Sequence, residues 1–357
     1  MRILHRSRKA GIDYCCAKLK PQMNSTTHTQ LNPLAFSILR VLSDGQFHSG
    51  EALAQRFKVS RTTIWTAIQA AEALHISIFS VRGRGYKLAA PLTFLDEAEI
   101  RKNCTVSDKI SLNIYPELAS TNSTLIQLAN DNAGQHIRSG TCVIAEMQTA
   151  GKGRRGRQWA SGLGTSLTFS LLWRFNCGAA GLSGLSLAVG VALIRALNEL
   201  GVSAQLKWPN DVLIDKKKVA GILIELQGDM EGPSAAVIGV GINLRLPEAM
   251  RTAIDQPVTD IASQSSAMNV NVLMAKLLEQ LVTVLTHFSA DGFAPLQQEW
   301  QRYHAFQAQQ VCLLSPDGSK QMGVAIGVSA DGALLFENNT GVIRVISGEI
   351  SLRAMSR

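Results

Sequence analysis

The chain of 357 residues is 46% hydrophobic and 17% charged, which excludes a disordered polymer and leaves length for two or three domains with cores of their own. Its net charge of +8 is uneven: residues 1–32 carry six Lys or Arg against one acid, residues 33–95 seven against three, and residues 96–357 twenty-two against twenty-three. A basic N-terminal part suits a polyanionic partner, whereas a neutral body suits a small-molecule site. The six cysteines (15, 16, 104, 142, 177 and 312) and seven histidines lack metal-ligand spacing, so neither a disulfide framework nor a zinc site is expected. No apolar run approaches the ~18 residues of a membrane span.

The first segment is basic but has no apolar signal region. Residues 1–32 therefore read as a disordered extension, with Met23 as an alternative start. From residue 33, Leu34, Phe36, Leu39 and Leu42 recur at helical spacing. Ser49 opens a second helix, and Ser60 caps a third whose buried face carries Ile64, Ile68 and Leu74. "ISIFSVRGRGYKL" then alternates about a Gly-Arg-Gly turn, as a hairpin does. Three helices and a basic hairpin over residues 33–90 predict a winged helix-turn-helix.

Residues from Pro91 to about Lys109 read as a linker. Beyond it, "CVIAEMQ", "SLTFSLLW", "VLIDKKKVAGILIEL" and "AAVIGVGINL" predict strands, the third with a charged hairpin turn. Residues 183–201 predict a helix closed by Gly201, and residues 270–293 a second long amphipathic helix. This mixture predicts an α+β domain with a mixed sheet over residues 108–300. The last fifty residues are short strands split by Asp-Gly and Asn-Asn-Thr-Gly turns, so a small β-barrel is expected over residues 307–357.

"GKGRRGRQW", residues 151–159, has the Gly-x-Gly-x-x-Gly spacing of a dinucleotide turn. That reading needs a helix to open at its end, because the helix N-terminus holds the pyrophosphate. A second glycine turn and another strand follow instead. The remaining reading is a flexible loop whose backbone approaches a ligand and whose cations neutralise phosphate. Two further segments complete the pattern. "KWPND" places Asn210 and Asp211 at the mouth of a strand, where oxygen atoms could meet a nucleotide or a metal. Lys218 starts the next strand, with Ala220 and Gly221 small enough to let a flat ligand lie against it. "ELASTNSTL" offers Ser120, Thr121 and Asn122 as consecutive hydrogen-bonding groups, although such triplets are more often caps or turns.

In this order, "GKGRRGRQW", "KWPND", "KVAGIL", "GVGIN" and the final "GEISLR" resemble the bifunctional biotin–protein ligases that also repress the biotin operon. The resemblance covers residues 33–357. It implies a synthetase-like ligase domain between the winged helix and an SH3-like barrel. It further implies that Ser120, Thr121, Asn122 and Gln148 meet the polar end of biotin, with Gly151, Lys152, Gly153 and Arg154 closing over it. Lys218 would contact the carboxylate or acyl phosphate, and Gly221 and Ile222 would line the pocket. Lys218 and Arg154 would be the catalytic pair. Arg155, Arg157, Trp159, Lys207, Asn210, Asp211 and Asn243 would face ATP, with Asp211 toward Mg²⁺. Lys152 stands where the family commonly has Arg, which replaces a bidentate contact by a point charge.

The resemblance also implies DNA contacts from Ser60, Arg61, Thr62, Thr63 and Trp65 at the recognition helix, and from Arg82 and Arg84 in the wing. Trp65 departs from the usual polar residue there. The implied partners are the biotin carboxyl carrier protein of acetyl-CoA carboxylase, operator DNA and, with adenylate bound, a second copy of the chain. A cytoplasmic location is expected, with no membrane partner. The alternative is a DNA-binding biotin sensor with little ligase activity; the intact cationic loop, "KWPND" and Lys218 favour the ligase.

Overall fold

The computed structural model describes residues 32–354 apart from 75, 132–136, 229–231, 267, 315–318 and 347–350. The basic extension up to residue 31 and the first three residues of "GEISLR" lie outside the described residues. Helices α1 (Pro33–Leu42), α2 (Gly50–Phe57) and α3 (Arg61–Glu72) precede a hairpin of β1 (Ile78–Val81) and β2 (Gly85–Leu88). The caps are those the sequence predicts: Ser49 accepts the Ala52 N–H, and Ser60 accepts the Thr63 N–H at 3.0 Å. Phe36, Leu39, Leu42, Ile64 and Ile68 form the core of this unit. Leu34 and Leu74 are only half-buried at its margin.

The stretch read as a linker is more ordered than expected. Asp96 caps a short helix, α4 (Glu97–Lys102), which buries Ile100. Beyond it come β3 (Ser111–Tyr115), α5 (Thr121–Asp131), β4 (Thr141–Ala145), β5 (Gly151–Lys152), β6 (Gln158–Trp159), β7 (Ser166–Phe175) and α6 (Leu185–Glu199). Then follow β8 (Gln205–Lys207), β9 (Asp211–Ile214), β10 (Lys217–Gly228), β11 (Ser234–Asn243), α7 (Glu248–Ala253), α8 (Val270–Asp291) and α9 (Gln297–Arg302). Seven strands form one sheet in the order β3-β4-β7-β11-β10-β9-β8. Only β3 and β4 are parallel within it.

Strand residues alternate between two faces. Phe169, Val240 and Ile222 face one way, into a core shared with α6 and α8. Leu172 and Val237 face the other way, under α5. By length and mean hydropathy alone, residues 179–199 and 270–291 are apolar enough to span a membrane, which the sequence reading did not anticipate. Both segments are mostly buried against the sheet and each other, which accounts for their composition.

The C-terminal strands β12 (Gln309–Leu314), β13 (Lys320–Val328), β14 (Leu334–Asn338), β15 (Gly341–Val345) and β16 (Ser351–Ala354) form an antiparallel sheet in the order β15-β14-β13-β12-β16. Trp208 of "KWPND" is fully buried and donates its Nε1 hydrogen to Gly332 O, tying this sheet to the central one.

The N-terminal unit meets the central sheet through Arg40. Its guanidinium lies over the rings of Phe36 and Phe94, donates to Leu95 O at 3.2 Å and reaches Glu146 Oε1 at 3.4 Å. Glu146 also accepts the Leu95 N–H at 2.9 Å. Burial pushes its carboxyl up to about 7, against the opposing pull of that N–H and Arg40. Between pH 4.5 and 7 the folded protein therefore retains a proton that the unfolded chain has released, and this site costs stability as pH rises. Glu146→Gln should remove that cost. Thermal melts should show the variant gaining on the native protein across this window, by up to about 3 kcal/mol, and then levelling; a pH-independent difference would contradict it.

Candidate active site

The site lies on the α5 face of the central sheet, and glycines make room for it. Gly239 and Gly241 occupy alternate positions of β11, and Gly221 pairs with Gly241 across β10. A Cβ at Gly239 would stand 2.3 Å from Asn122 Oδ1, and one at Gly241 would stand 2.4 Å from Trp159 Cε2. "GVGIN" and "KVAGIL" thus form a bare floor against which an asparagine and an indole pack.

At one end of the floor the backbone runs of 118–120 and 147–150 zip together. Leu118 donates to Met147 O, and Thr149 and Ala150 donate back to Leu118 O and Ala119 O. This holds Ser120, Thr121 and Asn122, at the start of α5, beside Gln148. Each of the four is at least nine-tenths buried. Gln148 Oε1 accepts the Thr121 N–H at 2.7 Å and faces its hydroxyl at 3.2 Å. The triplet is therefore both a helix start and a pocket wall. Ser170 on β7 joins it, with Oγ 2.7 Å from Thr121 Oγ1. Sequence reasoning missed Ser170, Gly239 and Gly241. Their signal was the alternation of small or polar residues with bulky ones on β7 and β11.

The cationic loop is a small hairpin rather than an irregular loop. Its arms β5 and β6 pair Gly151 with Trp159 and Lys152 with Gln158. A turn at Arg154–Gly156 closes it, with Arg155 at φ +58°. Arg154 Nη1 donates to Asn210 Oδ1 at 3.1 Å, fastening the hairpin across the cleft to "KWPND". Asn210 is held in turn, its Nδ2 donating to Ile222 O at 2.8 Å. Burial and the neighbouring Arg155 lower the affinity of the Arg154 guanidinium for its proton.

Lys218 reaches the site because of a β-bulge. Strict alternation on β10 would set it on the same face as Ala220 and Ile222, in the helix-side core. The register between β10 and β9 shifts between Lys218 and Ala220, leaving Val219 as the additional residue. One additional residue reverses the parity. Lys218 therefore shares the face of Gly221, where a Cβ would stand 3.0 Å from its Nζ. Its ammonium is 2.6 Å from Asp211 Oδ1, while Lys207 lies 3.5 Å from Oδ2. Burial alone would raise the Asp211 carboxyl; the two lysines outweigh it and hold the group below the usual range.

Two adjoining pockets result. Ser120, Thr121, Asn122, Gln148, Lys152, Gly221 and Ile222 line the first, and Arg155, Arg157, Lys207 and Asp211 line the second. Gly153, Arg154, Trp159, Asn210 and Lys218 line both. Lys216, Gln256 and Phe306 also wall the second pocket, and sequence reasoning did not find them. Trp159 Nε1 is buried without a hydrogen-bond partner, a donor open to a ligand. Gly151 packs against Trp159 O and Gln148. Asn243 is not brought to either wall; its Nδ2 donates to Thr259 O at 2.9 Å and lies 3.4 Å from Lys218 O, so it braces Lys218 from behind. Among the described residues no three His, Cys, Asp or Glu side chains converge as a metal cage, and both Asp211 oxygens face ammonium groups. The residues present do not fit a metal held by the protein alone.

On the N-terminal unit, Arg61, Thr62, Thr63 and Trp65 are exposed at the start of α3, and Arg82 and Arg84 are exposed in the wing. Ser60 spends its hydroxyl on the cap and on Thr63 Oγ1. Arg84 stacks over Phe47 at 4.1 Å, which aims the wing.

Two adjoining pockets walled in part by lysine and arginine side chains, a cationic hairpin that lines both and an attached winged helix fit a ligand-activating enzyme joined to a DNA reader. Residues 117–243 match the biotin/lipoate A/B protein ligase family, residues 35–87 an HTH domain, and residues 309–353 the biotin protein ligase C-terminal domain. The bifunctional ligase/repressor BirA of Salmonella typhimurium is 36% identical over 89% of this chain and 97% of its own length. That of Escherichia coli is 34% identical over 91% and 99%. The biotin protein ligase of Aquifex aeolicus, solved with biotin and ATP, superposes with a TM-score of 0.58 at 28% identity, covering 69% of this chain and 99% of that one. The chain belongs to the family of bifunctional biotin ligase/repressors.

Gly241→Ala should force Trp159 off the floor. We expect a loss of about 1–3 kcal/mol of stability and slowed biotin-dependent exchange between ATP and pyrophosphate. A variant with native melting temperature and rate would contradict the packing described.

Proposed function

We propose that this protein activates biotin with ATP, transfers it to a lysine of a biotin carboxyl carrier protein, and represses transcription when the adenylate is bound. In the first step a biotin carboxylate oxygen bonds to the α-phosphorus of ATP and pyrophosphate leaves. In the second, the lysine amine bonds to the acyl carbon, AMP leaves, and the nitrogen loses a proton. The observation that carries this reading is Lys218, which lines both pockets where they join.

The first step brings two anions together, so charge must be neutralised where they meet. Lys218 does this from the bulge, with Asp211 and Lys207 fixing its position. Ser120, Thr121, Asn122 and Gln148 hold the polar end of biotin. Lys152 closes over biotin, Arg155 and Arg157 take the phosphates, and Trp159 separates the biotin and adenine sides. A Mg²⁺ ion would be held by the nucleotide phosphates rather than by this chain, as is usual for this ion, and would supply charge shielding there. The mixed anhydride is reactive toward water and any amine. The hairpin 151–159, latched by Arg154 to Asn210, excludes both until the carrier lysine arrives.

For the DNA-binding half, Arg61, Thr62, Thr63 and Trp65 are presented to the major groove and Arg82 and Arg84 to phosphate. One winged helix contacts few bases, so useful affinity needs two copies on two half-sites. Closure of the hairpin on adenylate is proposed to favour that homodimer, by a coupling of ~1–3 kcal/mol. The protein is proposed to act in the cytoplasm.

Purified protein incubated with labelled biotin, ATP and an acceptor domain should label the acceptor, and sedimentation of the same sample should show the dimer. Absence of both label transfer and adenylate would overturn the enzyme reading. An unchanged mass with equal operator affinity, with and without adenylate, would overturn the repressor reading.

A further inference from the structure

We infer that Glu225 is a positioning residue that fixes which way round Asn122 presents its amide, and so makes the floor of the first pocket accept hydrogen bonds rather than donate them. This deepens the biotin reading and rests on it. Glu225 lies on β10, four residues beyond Gly221, and shares its face with Leu223 and Gly221. In "GILIEL" it reads as an ordinary charged residue on a solvent face.

Asn122 is 3% exposed and lies against Gly239. Its Nδ2 donates to Glu225 Oε2 at 2.7 Å and lies 3.4 Å from Leu223 O. A carboxylate and a backbone carbonyl only accept, so the reversed amide would set oxygen against oxygen. Oδ1 must therefore point inward, where it meets Ser170 Oγ at 2.5 Å. Ser170 also faces Thr121 Oγ1, which faces Gln148 Oε1. Along this buried row the Ser170 and Thr121 hydroxyls supply one proton each, and Gln148 receives the Thr121 N–H. Ser170 cannot donate to Asn122 and Thr121 at once. Every atom of the row has a partner within it, but its four oxygens carry more lone pairs than the row has protons, so what it has to spare is acceptor capacity.

A ligand that brings N–H donors completes the row. A cyclic urea carries two such donors, whereas a ring of carbons and sulfur carries none. If the Asn122 amide turned over, its two N–H hydrogens would fill the row and remove this preference. Glu225 thus acts on specificity through Asn122, without touching the ligand.

The test uses the full chain and isothermal titration with biotin and, separately, ATP. Glu225→Leu should weaken biotin about tenfold and leave ATP affinity unchanged. Glu225→Gln, which keeps an acceptor but also offers a donor, should fall between that variant and the native protein. In an Asn122→Ala background, Glu225→Leu should cost nothing further for biotin. Melting curves of each variant establish that it is folded. Native affinity in Glu225→Leu, an equal loss for ATP, or a full additional loss on Asn122→Ala would overturn the inference. Native protein that binds no biotin would overturn the ligase reading and this inference with it; native protein that binds normally separates the two failures.

Discussion

The one additional residue at Val219 sets where the Lys218 ammonium stands, and the arrangement of both pockets follows from it. It reverses the parity of β10, so a lysine that alternation would bury among aliphatic side chains instead faces the glycine floor. Asp211, at the start of the partner strand, then holds the ammonium at 2.6 Å. Asn243 and the run through Thr259 brace the backbone from behind. A charge set by backbone geometry and a buried counter-ion would need little reorganisation if the proposed reacting anions arrive, which is the condition for electrostatic catalysis.

The sheet divides labour between its faces. Bulky residues on one face build a core with α6 and α8, which gives the other face a rigid support. That second face carries Gly221, Gly239, Gly241 and Ser170, giving up packing so that ligands and Trp159 can approach the backbone. The N-terminal unit is fastened two residues from Gln148, through Glu146 and Arg40. Its core also includes Met147 and Leu163, on either side of the cationic hairpin. The hairpin is therefore mechanically adjacent to the DNA-reading helices.

Much of the fold was legible because local signals and long-range packing agree. Ser49 and Ser60 cap as their residue type demands, and Asp215 and Lys216 make a left-handed turn between β9 and β10 where a charged hairpin was expected. The motifs also led to most pocket residues, since glycine, lysine and asparagine clusters point to a ligand. What stayed hidden depends on register. The bulge, the floor facing Asn122 and the support given by Glu225 require knowing which strand residues stand opposite one another. The start of α5 was masked because Ser-Thr-Asn serves equally as a cap and as a binding wall. Asn243 shows the reverse case, a motif residue whose amide is spent on the backbone beneath the site.

Lys218 is proposed to neutralise charge at the reacting carboxylate. Rapid-quench measurement of biotinyl-adenylate formation by Lys218→Ala, under single-turnover conditions with saturating biotin and ATP, tests it most directly. The first step should be slowed by ~10²–10³, with transfer of preformed adenylate to the carrier much less affected. A near-native first step, or an equal loss in both steps, would contradict it.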